Sequence, residues 1–178
     1  MINLITVSGK TGRNFYLSPQ YTADFKSVVS CITSGKVMIV STRYRSDLIY
    51  TSEKPRNNSI LKLWALCANT TLPSLNRKDF TTAIGDKQSF TKYFESIMAL
   101  SVNWHHYDLY RKAFRTTFCA DQDNPVTQMV ITCDQYLTQQ ENITREPLVD
   151  LNEKIISVLS KDTFTLAMDL LNNETHVN

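Results

Sequence analysis

The spacing of apolar residues changes near residue 53, and this change constrains the fold more than any other feature of the sequence. Before it, short apolar runs at residues 2–7 and 36–42 have the length and composition of β-strands. After it, apolar residues recur every three or four positions, as in Phe90, Tyr93, Phe94 and Ile97, which predicts amphipathic helices. A polar stretch with a proline, residues 53–58, separates the two patterns and predicts a linker.

The sequence therefore predicts an α+β protein, with a small N-terminal β-β-α-β-β unit followed by a bundle of about six α-helices. We expect the first unit over residues 1–53, the bundle over 59–173 and a frayed tail over 174–178, with one continuous globular domain as the alternative. The expected strands are residues 2–7, 14–17, 36–42 and 47–51.

Local signals define several of the predicted helices. The pairs Ser18-Pro19 and Asn124-Pro125 combine an N-cap residue with proline at the first helical position. Gly35 and Gly85 are expected to end the first helix and a later short one. Thr144 and Ser160 are expected to begin the last two helices, and Phe94, in the middle of an apolar stripe, is expected in the core.

Composition and cysteine placement predict a cytoplasmic protein. The four cysteines, Cys31, Cys67, Cys119 and Cys133, lie far apart on apolar helical stripes, so we expect reduced thiols in the core. No apolar run approaches the roughly 18 residues of a membrane span, and the first residues do not resemble a signal peptide. We expect no membrane partner, and the many Asn and Thr residues are compatible with a phage or viral source.

The stretch ITVSGKTGR, residues 5–13, resembles the end of a phosphate-binding P-loop. That motif requires a glycine where Leu4 stands, and a helix where residues 14–17 predict a strand. We therefore expect a hairpin turn with a solvated Lys10 and no nucleotide cofactor. His105 and His106 lack the i, i+4 spacing of a metal pair, and no cysteine pair has metal-binding spacing. We expect no cofactor, no metal and no catalytic residue.

Basic residues are concentrated at the start of the chain. Residues 1–62 hold nine basic and three acidic side chains, whereas the remainder holds ten and fourteen, which favours a polyanionic partner for the first part. We expect Arg43 and Arg45 to share one face of a strand, with Tyr44 on the other face and Lys54 and Arg56 nearby. Guanidinium groups bind phosphates, and aromatic rings stack on unpaired bases. The alternative interpretation is an edge strand that charges protect against aggregation.

A second basic cluster, Arg111, Lys112 and Arg115, lies on a predicted helix. The full set of expected binding residues is Arg43, Tyr44, Arg45, Lys54, Arg56, Arg111, Lys112 and Arg115. The first hypothesis is a non-catalytic intracellular protein whose basic N-terminal surface contacts nucleic acid or an acidic protein. The alternative is a protein–protein interaction module, such as a phage or viral host-takeover or assembly factor. An enzyme with a site that no motif reveals is the third hypothesis, and we expect binding rather than catalysis.

Overall fold

In the part of the chain that the structure describes, four strands form one antiparallel sheet, and helices cover both of its faces. The computed structural model describes residues 1–68, 79–139 and 144–150, together with Asp169. The elements in these ranges, in chain order, are β1 (Ile2–Ser8), α1 (Gly9–Gly12), α2 (Pro19–Thr33), β2 (Val37–Ser41), β3 (Arg45–Thr51), α3 (Asn57–Cys67), β4 (Phe80–Ile84), α4 (Asp86–Ser101), α5 (Trp104–Ala120) and α6 (Pro125–Thr138).

The strand order is β2-β3-β1-β4, so β3 and β1 are the central strands. All pairings are antiparallel, and β1 pairs with β3 from Ile2 opposite Thr51 to Ser8 opposite Arg45. One end of the sheet is therefore marked by Ser8 and Arg45. The other end is marked by Ile2 and Thr51, about seven residues of strand away, which is roughly 20 Å.

Both faces of the sheet are buried, which explains the unbroken apolar run of β2. Successive residues of β1 point to opposite sides. Leu4 belongs to the core beneath α4, α5 and α6, whereas Ile5 belongs to the core beneath α2 and α3. Trp64 of α3 fills the second core and contacts Phe15 edge to face, with ring centroids 5.5 Å apart.

The two helix starts predicted from a cap residue followed by proline, and the Phe94 prediction, are confirmed. The helices α2 and α6 begin at Pro19 and Pro125. The Asn124 side chain accepts a hydrogen bond from the Val126 N–H at 3.1 Å, as expected of an N-cap residue. Phe94 lies on α4 and is only 5% exposed.

The mixed α and β character is confirmed, but the β-β-α-β-β order is wrong. Residues 14–17 are not a strand, since they take part in no strand pairing and the Leu17 N–H donates to the side-chain hydroxyl of Ser41, the last residue of β2, at 2.9 Å. Residues 80–84 are the edge strand β4, where the sequence predicted the end of a helix before Gly85. This strand is short and holds two threonines, so its apolar pattern is weak.

Some predictions fall partly or wholly outside the described residues. Residues 144–150 have no regular secondary structure, so no helix begins at Thr144. The rest of that predicted helix, the helix from Ser160 and the tail at 174–178 lie outside the described residues. The division into units at 1–53 and 59–173 stays a prediction.

Three of the four cysteines are exposed, so the expectation of core thiols is wrong for them. Cys31, Cys67 and Cys119 lie beside the buried stripes of their helices, and Cys133 alone is buried. Burial, reinforced by the neighbouring Asp134, raises the pKa of the Cys133 thiol to about 12. Among the described helices, none combines the length and the apolar character needed to cross a bilayer.

Candidate functional site

A cleft of about 900 Å³ opens at the end of the sheet where β1 ends and β3 begins. Its lining comes from β1 and α1, from the turn between β2 and β3, and from α4 and α5: Ser8, Gly9, Lys10, Arg13, Tyr44, Arg45, Ser96, Ala99, Leu100 and His106. We call this feature the basic cleft. None of the ten residues in this lining is acidic. The Asp79 carboxylate lies close behind Gly9, and Asp47 pairs with Arg45, so the positive charge open to a ligand comes from Lys10 and Arg13.

Two exposed cations lie on the α1 side of the basic cleft. Lys10 and Arg13 are both exposed, and neither forms an ion pair with a described residue. The turn of α1 between them is anchored by Thr11, whose N–H and hydroxyl donate to Asp79 at 3.3 and 2.5 Å. The anchored turn therefore presents to the cleft two positive charges that no described residue neutralises in an ion pair.

The turn between β2 and β3 carries the aromatic wall of the basic cleft. The Thr42 hydroxyl donates to the Arg45 carbonyl at 2.9 Å and accepts from the Arg45 N–H at 3.1 Å, which closes the turn. A Cβ atom on Gly12 would lie 2.9 Å from the Tyr44 carbonyl oxygen, so α1 packs directly against the turn. The Tyr44 ring stacks on the His106 ring at 3.8 Å and 23°.

Arg45 forms the floor of the basic cleft and is only 4% exposed. Its Nε and Nη2 atoms donate to the two Asp47 carboxylate oxygens at 2.6 and 2.9 Å. The same guanidinium donates to the Ser96 carbonyl at 2.9 Å and to the Ser96 hydroxyl at 2.6 Å. Burial by itself would lower the pKa of Arg45, but the Asp47 carboxylate raises it above the ordinary value, so the guanidinium stays charged.

Behind Arg45, hydrogen bonds continue into the helical layer. Asp47 also accepts from the Thr6 hydroxyl at 2.5 Å and from the Tyr110 hydroxyl at 2.6 Å. The Tyr110 hydroxyl lies 3.1 Å from that of Tyr93. Burial first, and then the Asp47 charge, raises the pKa of both tyrosines well above the ordinary value, so both hydroxyls keep their protons.

The structure separates the residues that the sequence placed in one basic patch. Arg43 lies in the turn and Arg45 in β3, because β2 ends at Ser41. The expectation that the two arginines share a strand face is therefore wrong. The alternative interpretation holds in one respect, since β2 is an edge strand of the sheet. The charges expected to protect that edge do not lie on it, because Arg43 follows β2 in the turn and Arg45 belongs to the central strand β3. Arg43 is exposed and directly precedes Tyr44 in the turn, but it is not among the residues that line the basic cleft.

Lys54 and Arg56 lie beyond the opposite end of β3, after Thr51. They are exposed and line a separate cleft of about 450 Å³. Because β3 spans roughly 20 Å, these two residues and Arg43 do not form a single patch. They contribute no charge to the lining of the basic cleft.

Two of the three basic residues on α5 have partners within the chain. Arg111 pairs with Glu146 and with Asp150, and its Nε donates to the Pro147 carbonyl at 2.6 Å. Lys112 pairs with Asp108 at 2.7 Å, and Arg115 is exposed. Arg111 thus holds residues 144–150 against α5, and a contact role for this cluster stays a prediction.

Sequence reasoning missed Lys10, Arg13 and His106 as parts of one site. The first two belong to the SGKTGR stretch, for which the sequence predicted a hairpin turn with a solvated Lys10. Lys10 is exposed, but the hairpin is wrong, since α1 is a single helical turn and no strand directly follows it. A more general signal was present, since two basic residues directly follow a strand. His106 and Ser96 come from different helices, and their approach depends on how α4 and α5 pack.

The described residues contain no group of three or more His, Cys, Asp or Glu side chains arranged to hold a metal ion. The Arg45, Asp47 and Tyr110 network is held in a fixed geometry and is nearly inaccessible to solvent. Its accessible neighbours, Lys10 and Tyr44, are suited to hold an anion and a flat ring. Comparison with protein-family models, with curated proteins and with solved structures finds no match to this chain.

Proposed function

We propose that the protein binds nucleic acid, with backbone phosphates held in the basic cleft by Lys10 and Arg13. One observation carries this proposal: a cleft of about 900 Å³ with a stacked aromatic pair and two exposed cations, in which the described residues supply neither an ion-pair partner for these cations nor an acidic side chain to the lining. Cations bind the phosphates of any sequence. Aromatic side chains add contacts to the bases, which a simple anion would not need.

Arg43 is the third cation that we assign to phosphate binding. It is exposed in the turn that also carries Tyr44, so a strand lying on the aromatic pair would pass close to it. Arg45 has a different role in this proposal. Its donors are directed to Asp47 and Ser96, so it positions the turn instead of contacting the ligand.

The proposal is tested by the salt dependence of binding. Fluorescence anisotropy with labelled single- and double-stranded DNA and RNA gives the affinity at several salt concentrations. Each phosphate contact contributes roughly 0.7 to the logarithmic slope for a single strand and roughly 0.9 for duplex DNA. Replacing both Lys10 and Arg13 by Gln removes two cations from the cleft, so the slope should flatten by roughly 1.4–1.8.

The matched control is the double variant Lys54→Gln/Arg56→Gln. It removes the same charge from exposed positions at the other end of the sheet. Binding and its salt slope should stay close to those of the unmodified protein. No binding of any of the four nucleic acids at low salt would overturn the proposal, as would equal losses in the two double variants, which would indicate a response to net charge alone.

Docking of a protein on the face of the sheet that α2 and α3 cover is a second candidate function. A groove of about 310 Å³ lies between α2 and α3, and its lining includes Tyr16, Tyr21, Val28 and Leu63. Tyr21 and Val28 are 67% and 45% exposed, which is typical of a surface that a partner covers. A partner captured equally well after nuclease treatment, and lost in Tyr21→Ser/Val28→Ser, would support this candidate.

A further inference from the structure

Trp104 is one of the most exposed large apolar residues among the described ones. It is the first residue of α5 and is 76% exposed, close in sequence to Val102, which is 89% exposed. The start of α5 is fixed, since the Asn103 side chain accepts a hydrogen bond from the His106 N–H at 3.1 Å. The indole therefore projects from a rigid helix start into solvent, two residues before a residue that lines the basic cleft.

Trp104 is connected to the basic cleft by a series of ring contacts. Its ring centroid lies 5.7 Å from that of His105, which lies 6.1 Å from that of His106. His106 in turn stacks on Tyr44 at 3.8 Å. The series runs from the exposed surface to the aromatic wall of the basic cleft, whose lining also includes Lys10 and Arg13.

We infer that the nucleic acid held by the basic cleft is single-stranded, with its bases stacked on Trp104 and on the Tyr44–His106 pair. This inference rests on the proposed function. In a duplex the base faces are already covered by neighbouring bases, so exposed aromatic rings cannot use them. In a single strand the bases are open, and stacking on aromatic rings is the usual mode of contact. Cations near such rings follow the backbone of the same strand.

The chain provides an internal reporter for this contact. It contains two tryptophans, and Trp64 is fully buried, with its indole N–H donating to the Phe15 carbonyl at 3.1 Å. A base that stacks on Trp104 should quench the emission of the exposed indole and leave that of Trp64 unchanged. Quenching therefore reports base stacking separately from phosphate binding.

The experiment compares three probes of equal length and matched phosphate content: oligothymidylate, a strand without bases, and a hairpin duplex. A length of about 12 nucleotides lies within the usual site size of roughly 4–16 nucleotides. Anisotropy gives the affinity for each probe, and tryptophan emission gives the quenching. We expect oligothymidylate to bind most tightly and to be the strongest quencher. Trp104→Ala should weaken its binding by roughly tenfold, with no change for the strand without bases.

The conservative variant Trp104→Phe keeps an aromatic ring and should retain most of the affinity for oligothymidylate. Equal affinity for the duplex and the single strand, or an unchanged affinity in Trp104→Ala, would overturn the inference. In that case tight binding of the strand without bases would still support phosphate binding in the basic cleft. Failure of all three probes to bind would instead overturn the proposed function itself.

Discussion

Replacing Asp47 by Asn tests whether the buried network behind the basic cleft stabilises the fold. The Asp47 carboxylate is fully buried and accepts four hydrogen bonds, two from Arg45 and one each from Thr6 and Tyr110. Asparagine keeps the size of the side chain but removes its charge. It also places an NH₂ group where one oxygen accepted two of those hydrogen bonds, so two donors lose their acceptor.

The expected loss follows from the burial of both partners. The side chains of Arg45 and Asp47 are 5% and 0% exposed, so the substitution leaves a buried guanidinium without its counter-charge. Breaking such a pair by removing one partner costs about 3–5 kcal/mol. This is a large fraction of the roughly 5–15 kcal/mol that stabilises a typical protein. Adding Arg45→Met should recover part of the loss, because it removes the unpaired charge.

Urea unfolding followed by far-UV circular dichroism gives the free energy of unfolding, provided that the dependence on urea concentration stays the same. The control is Glu95→Gln, which breaks the exposed pair between Lys92 and Glu95, whose side chains are 48% and 59% exposed. Exposed pairs contribute at most about 1 kcal/mol. A loss in Asp47→Asn no greater than that in the control would refute the reasoning.

Three further predictions concern the core, the tyrosines and the cysteines. Phe94→Asp places a charge in the core and leaves a void, so urea unfolding should show a loss of about 4 kcal/mol or more; a change under about 1 kcal/mol would contradict the placement of Phe94. Burial, aided by Asp47, raises the pKa of Tyr93 and Tyr110, and burial raises that of Tyr107 to about 12. Their contribution to stability is therefore fully present below the ordinary tyrosine pKa of about 10 and is lost as the pH rises through the folded-state values. Absorbance at the tyrosinate band should thus show these three groups, together with Tyr50, whose pKa burial also raises, ionising only above the ordinary tyrosine pKa or upon unfolding. Ionisation of all eight tyrosines near the ordinary pKa would contradict this. A thiol reagent should modify Cys31, Cys67 and Cys119 in the folded protein, whereas Cys133, buried and with a raised pKa, should react only after unfolding; mass spectrometry of the labelled peptides identifies each site.

Sequence signals that depend only on neighbouring residues correctly predicted where α2 and α6 begin and which face of α4 is buried. A cap residue followed by proline at Pro19 and Pro125 fixes a helix start through local geometry, and the stripe through Phe94 identifies a buried face. The strand β4 was missed because its pairing with β1 connects residues about eighty positions apart. The residue types of β4 favour a strand, but the strand is short and mostly half-buried or exposed, so it has no clear apolar pattern.

The candidate site was predicted only in part, since its residues come together through tertiary packing. Tyr44 and Arg45 were identified from their residue types, but Arg45 was expected at the surface. Its burial had a signal in the sequence, because Asp47 lies two positions later, on the same face of a strand. Tyr44 and His106 lie in two distant segments of the chain, so the spacing of residues in the sequence does not predict their contact.

The central position of β1 has a consequence for the order in which the protein assembles during synthesis. Its strand partners are β3 and β4, which are translated later, and β4 ends only at Ile84. The hairpin of β2 and β3 joins neighbouring residues and can form early, whereas pairing at longer range is slower. Until residues 80–84 leave the ribosome, one edge of β1 stays unpaired and open to other chains. The nascent protein is therefore most prone to aggregation before its fourth strand arrives.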